Sequence, residues 1–141
     1  MPEYCSRDDI EYRLSAQGLR FLADRDQDGD VDETELEQFV DTQIAEAGLY
    51  IDQRLHHIVS PAVARASQNE WLKARCIDLA TENISRIGGN DPPDFVVITA
   101  ERARIELGAI ESRQRQVPGL IIPKPKTKSA TSSPQAKVVN L

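Results

Sequence analysis

The sequence predicts an all-α protein: a small helical bundle with two or three long helices, an EF-hand-like calcium loop near the N-terminus and an extended C-terminal tail. Three observations predict it. Apolar residues recur at steps of three and four through most of the first 111 residues, the period of one helix face. β-like runs are nearly absent: "FVVIT" at 95–99 is the only short one, and helical register surrounds it. After Val117 four prolines and clustered Ser and Thr forbid a continuous helix or a separate core. A chain of 141 residues with 40% apolar content suits one core, so residues 1–116 are read as the helical domain and 117–141 as the tail.

The elements follow in order. Ser6 with Asp9 three residues on is a capping-box start for a short helix carrying Ile10, Tyr12 and Leu14. Gly18 interrupts, and Leu19, Phe21 and Leu22 form a short apolar turn. Asp32 with Glu35 is a second N-cap pair, opening a long helix whose stripe is Leu36, Val40, Ile44, Ala47, Ile51, Leu55 and Ile58. Ser60–Pro61 stops it and starts the next, with Ser as cap and Pro at the first helical position. That second long helix turns Trp71, Leu72, Cys76, Leu79, Ala80, Ile84 and Ile87 inward and ends at Gly88–Gly89. "NDPPD" is a turn. The third helix places Phe95, Ile98, Arg102, Ile105 and Ala109 along one side, with Val97, Ala100 and Leu107 available for another contact.

The second of these cap pairs ends an acidic stretch, "DRDQDGDVDETE", Asp24 to Glu35. Neighbouring carboxylates repel by about 1 kcal/mol per pair even in bulk water, so this crowding needs a compensating charge. The spacing fits D-x-[DN]-x-[DN]-G-x5-E, the 12-residue EF-hand loop. Calcium takes six to eight hard oxygens in flexible geometry. Asp24, Asp26 and Asp28 hold the first, third and fifth places, Gly29 the sharp sixth, and Asp30 the seventh, through its carbonyl. Asp32 is ninth, directly or through water, and Glu35 is the bidentate twelfth. Val31, eighth, is free to pack on the helices. A capping role alone needs one or two carboxylates rather than five alternating aspartates. Calcium is expected before magnesium, which prefers fewer protein oxygens and more water. The loop has no second copy and the chain no Met-rich groove, which favours a structural calcium over a signalling switch.

Charge divides the chain. Residues 1–111 hold all 23 acids against 11 basic residues, a balance of −12, while Ser112 to Leu141 carries six basic residues and no acid. An acidic body does not suit tight duplex binding. The basic tail, with apolar islets at Leu120–Ile122 and Val138–Val139, suits docking on a partner, including strand addition to a sheet edge. Nothing points to an enzyme. His56 and His57 diverge by about 100° on a helix and make a poor metal face, "IGGN" is a helix stop, and no nucleophile–base set is suggested. Cys5 and Cys76 lie in no metal or redox spacing and are expected as reduced thiols, Cys76 in the core. No apolar run reaches the ~18 residues of a membrane span, and the N-terminus lacks the apolar stretch of a secretory signal, so cytoplasmic synthesis is expected.

The first sixty residues resemble the N-terminal half of Mu-like tailed-phage head–tail connector (adaptor or head-completion) proteins. The likeness is carried by Tyr4, Ser6, Asp9 and Ile10, by Leu22 with Asp24 through Gly29, and by Ile51, Asp52, Arg54 and Leu55. Ala74–Arg75 and Leu79 extend it loosely to about residue 90. The resemblance implies a virion protein of the neck, assembled in the host cytoplasm as a homo-oligomeric, dodecameric ring under the portal protein. Its tail would dock on the portal, its other face would receive the stopper or tail-completion protein, and DNA would pass through the channel without specific binding. An acidic body suits such a channel, because like charge keeps the duplex from sticking. The metal site is not implied by the likeness and rests on ligand spacing. The competing reading is a small cytosolic single-EF-hand calcium-binding protein, buffer or sensor; an unassigned helical enzyme or nucleic-acid accessory ranks behind it.

Overall fold

In the computed structural model of the chain, residues 2–24, 31–89 and 91–120 are described. They form six helices: α1 (Arg7–Leu14), α2 (Ala16–Ala23), α3 (Glu33–Leu55), α4 (Pro61–Ala66), α5 (Glu70–Ile87) and α6 (Asp94–Glu111). No strand occurs among the described residues, so "FVVIT" follows its helical surroundings. No described helix is long and apolar enough to cross a membrane.

Side-chain caps set the helix starts. Ser6 and Asp9 form a reciprocal capping box on α1, and the Asp32 carboxylate accepts the Glu35 N–H at the head of α3. Ser60 caps α4 with Pro61 at the first position, and Asn69 caps α5 on Leu72 N–H. Three expectations are corrected here. The turn at Leu19–Leu22 is a full helix, α2, capped by Ser15, which stands at φ 71°. The single helix expected after Ser60 is two, because Gln68 at φ 53° breaks the chain and Asn69 starts it again. Ile87, expected inside, is exposed.

The long pair α3 and α5 forms the centre, and α1 and α6 each pack against both. α3 buries Leu36, Val40, Ile44, Ala47, Ile51 and Leu55 as its spacing predicts, against Leu72, Cys76, Leu79, Ala80 and Ile84 of α5. Burying each large aliphatic side chain contributes about 1.5–3 kcal/mol, which makes this seam the main apolar stabiliser. α6 presents Val96, Ala100, Ala103, Leu107 and Ile110 to the bundle. The side carrying Phe95, Ile98 and Ile105 faces outward instead. Ala100 and Ala103 explain the choice: small residues let α6 approach the central pair closely, which a face of Phe and Ile would not.

Gly88 ends α5 against the last turn of α2. A Cβ there would lie 2.6 Å from the Leu22 carbonyl oxygen and 2.7 Å from that of Ile84, so only glycine allows the approach. At the other end, the expected tail begins on the bundle. Val117 is buried in the core, Leu120 packs beside it, and the Pro118 carbonyl accepts from Asn69 Nδ2 at 2.9 Å. The remainder of the expected tail lies outside the described residues.

Candidate functional site

α2 and α3 flank the acidic loop, and arginines fix their relation. Arg20 of α2 pairs with Glu33 of α3 and reaches the Val31 carbonyl, and Arg7 of α1 adds a second bond to Glu33 at 2.7 Å. Glu33, the one loop acid outside the expected ligand set, is thereby occupied. Asp24 sits buried at the end of α2. Asp32 uses one carboxylate oxygen as the α3 cap. Glu35 is exposed in the first turn of α3. Val31 packs against the core, as its position predicts. At the described ends of the loop, Asp24 is the C-cap of α2, and Asp32 and Glu35 stand at the positive N-terminus of α3. Asp26, Asp28, Gly29 and Asp30 lie outside the described residues. Among those that are described, no group of three or more His, Cys, Asp or Glu could hold a metal.

A second constellation went unseen in the sequence. Asp52, buried on α3, accepts the Tyr4 hydroxyl at 2.7 Å, Arg65 Nη2 at 2.6 Å and Arg65 Nε at 3.2 Å. Arg65 of α4, itself buried, also donates to Glu3 Oε1 at 2.8 Å and to the Pro2 carbonyl at 3.2 Å, and stacks 4.9 Å from the centre of the Tyr4 ring. Burial and the bond to Asp52 push the Tyr4 phenol well above its usual pKa. Burial opposes the Arg65 charge, but Asp52 and Glu3 outweigh it and raise its pKa. Gly48 makes room: a Cβ there would stand 3.0 Å from Arg65 Nη2. Tyr4 and Asp52, near opposite ends of the connector-like pattern, thus meet in space. The cluster straps the N-terminal segment across α3 and α4.

A third set joins the helices flanking α5. Asp78, buried, receives Arg13 from α1 and Arg75 from its own helix, and Arg75 continues to Glu106 of α6 at 2.9 Å. Glu82, also buried, takes Arg104 of α6 at 2.7 Å and Arg86 at 3.2 Å. Burial alone would raise the Glu82 pKa; Arg104 and Arg86 more than offset it and hold the carboxyl below its usual range. These acids pair with permanent cations and form no acid–base couple. The histidines are exposed as expected: His57 Nε2 donates to the Glu111 carbonyl at 2.9 Å and His56 Nδ1 to that of Gln53 at 3.0 Å.

Cys5 and Cys76, 71 residues apart, lie together with Sγ atoms 3.2 Å apart, both free and buried. Cys76 is in the core as expected. Their meeting could not be read from spacing, because the strap that brings Cys5 to α5 is held by long-range polar contacts.

Compared with known protein families, curated proteins and solved structures, the chain matches none.

Proposed function

We propose that this chain is a structural protein of a tailed-phage neck, forming a homo-oligomeric ring under the portal that joins head to tail and continues the DNA channel. The single observation that carries the reading is the outward side of α6, where Phe95, Ile98 and Ile105 stand 52%, 55% and 63% exposed along one helix. A solvent-facing helix gains nothing from such a stripe; a helix that packs beside another copy does. Tyr12 and Phe21, 95% and 69% exposed, give α1 and α2 an apolar surface as well. α1 and α6 each reach α5 through an ion pair, Arg13–Asp78 and, by way of Arg75, Arg75–Glu106. Separate apolar surfaces on one subunit suit head-to-tail contacts, which close into rings where the rotation between copies allows. The meeting of Tyr4 with Asp52 supports the connector likeness, since both belong to the pattern that carries it.

In this reading the loop from Asp24 to Glu35 binds calcium as a fold element, through Asp24, Asp26, Asp28, the Asp30 carbonyl, Asp32 and Glu35. The basic residues after Ser112 attach the ring to the portal. The test mixes the purified chain with the portal protein of the same genome and images the product by cryo-EM. A ring of copies on the portal is expected. Removing residues 121–141 should leave the bundle folded and weaken attachment. A chain that stays monomeric at every concentration and ignores the portal would overturn the proposal, and a calcium-dependent monomer would favour the small calcium-binding alternative.

A further inference from the structure

We propose that Cys5 and Cys76 are an oxidisable pair that closes into a disulfide and staples the N-terminal strap to α5. Two thiol sulfurs 3.2 Å apart need about 1.2 Å of approach to reach bonding distance. One of them is free to make it. Cys76 is fixed in the middle of α5 with no exposed surface, its sulfur 4.0 Å from the Ile44 carbonyl. Cys5 precedes α1 in a non-helical segment, so small backbone adjustments there disturb no helix ladder.

Access favours the same order of events. Cys5 lines a cleft of about 680 Å³ between the strap, α3 and the start of α5, walled by Tyr4, Asp41, Ile44, Arg65 and Lys73. Cys76 lies behind it and does not line the cleft. A hydroperoxide entering the cleft meets Cys5 first. The Cys5 sulfur attacks the peroxide oxygen, the O–O bond breaks, and one water leaves as Cys5 becomes a sulfenic acid. The Cys76 sulfur then attacks the Cys5 sulfur, the S–O bond breaks, and the hydroxyl departs with the Cys76 proton as a second water. Two thiols and one hydrogen peroxide give one disulfide and two waters; the protein loses two electrons and the peroxide gains them. The neighbouring Cys5 and burial hold Cys76 protonated, so Cys5, at the cleft, meets the peroxide first, and Cys76 gives its proton to the departing hydroxyl only as its sulfur attacks.

The consequence is mechanical. The strap is otherwise held by Tyr4 and Arg65 on Asp52 and by Glu3 on Arg65, contacts that open without bond breaking. A disulfide closing a loop of 71 residues removes much of the unfolded chain's freedom. The pairing does not depend on the neck reading. If that reading holds, the bond would form after release from a reducing cytoplasm.

The full-length chain is treated with hydrogen peroxide at neutral pH, quenched, denatured and alkylated. Expected are a monomeric product with no alkylatable thiol, a linked Cys5–Cys76 peptide in the proteolytic map, and a thermal midpoint raised by about 10 °C that dithiothreitol reverses. Cys5→Ser should abolish both linkage and midpoint shift while leaving Cys76 alkylatable. Should Cys5→Ser fail to fold, the wild-type peptide map alone decides. Two surviving thiols, Cys5 over-oxidised without linkage, or cross-linking only between chains would overturn the proposal.

Discussion

Replacing Asp52 with leucine tests whether the strap is held by a buried ion pair or by packing alone. Asp52 accepts three hydrogen bonds, one from the Tyr4 hydroxyl and two from Arg65. Asp52→Leu leaves a buried guanidinium with only Glu3 and the Pro2 carbonyl, and a buried phenol without its acceptor. Orphaning one member of a buried pair costs about 3–5 kcal/mol, and an unsatisfied hydroxyl about 1–3 more. Glu3, half-exposed, remains on Arg65 and offsets part of this, so a net loss of about 4 kcal/mol is expected. With a urea slope of about 2 kcal/mol/M, the unfolding midpoint followed by circular dichroism should fall by about 2 M. The double variant Asp52→Leu with Arg65→Met removes both charges, and should recover at least half of the loss, because an apolar pair of similar volume avoids desolvating either ion. A single variant within 1 kcal/mol of wild type, or a double variant losing the sum of the two singles, would refute the reasoning.

Other perturbations probe the remaining joints. Asp24→Ala with Glu35→Ala should lower the thermal midpoint in calcium and remove its difference from the midpoint in chelator; identical wild-type melting in the two buffers would exclude a bound ion. Gly88→Ala drives a methyl against the Leu22 and Ile84 carbonyls and should cost about 1–3 kcal/mol in denaturant titration, without any contribution from polar groups. Glu82 has a folded pKa below its unfolded value of about 4.3, so its contribution is complete above that pH and lost as pH falls through the folded pKa. Glu82→Gln should therefore destabilise the chain at pH 7 and converge with wild type in acid, a comparison made by urea midpoints across pH. Ile98→Glu should leave the monomer's melting within about 0.5 kcal/mol of wild type and abolish ring formation on the portal.

The α3 seam was legible because one residue class recurs there at one period for six turns, and every member of the stripe through Leu55 is buried. Caps at Ser6, Asp32 and Ser60 were legible because a local hydrogen bond between residues three apart leaves its mark in four letters. α6 was harder. Apolar residues lie on both of its sides, at Phe95, Ile98 and Ile105 and at Val96, Ala103 and Ile110, so periodicity could not choose the buried face. Close approach chose it, through two alanines whose value depends on neighbours distant in sequence. The break at Gln68 carried only a polar triplet as its sign. For the loop, Asp24 stands at the end of α2 and Asp32 and Glu35 at the start of α3, while Asp26, Asp28 and Asp30 lie outside the described residues. Tyr4, Asp52, Arg65 and the two cysteines left no local pattern, because each partner is chosen by tertiary packing over 13 to 71 residues.

The size of the α6 stripe says how such a ring would form. Phe95, Ile98 and Ile105 leave roughly 100 Å² of apolar surface each, about 300 Å² together. Full burial at about 25 cal/mol per Å² gives about 7 kcal/mol, which falls within the estimated 4–15 kcal/mol that association costs. That stripe alone therefore makes a weak pair. If it meets the Tyr12 and Phe21 surface of the next copy, the buried area doubles and the gross gain reaches about 15 kcal/mol, near balance for two free subunits. A template changes this. A subunit already seated on the portal by its tail has lost much of its translational freedom, so the same contact to its neighbour meets a smaller opposing entropy. In the proposed role, weak lateral contacts with a portal anchor would favour assembly at the neck over assembly in free solution, and the basic tail and the apolar stripe would act together.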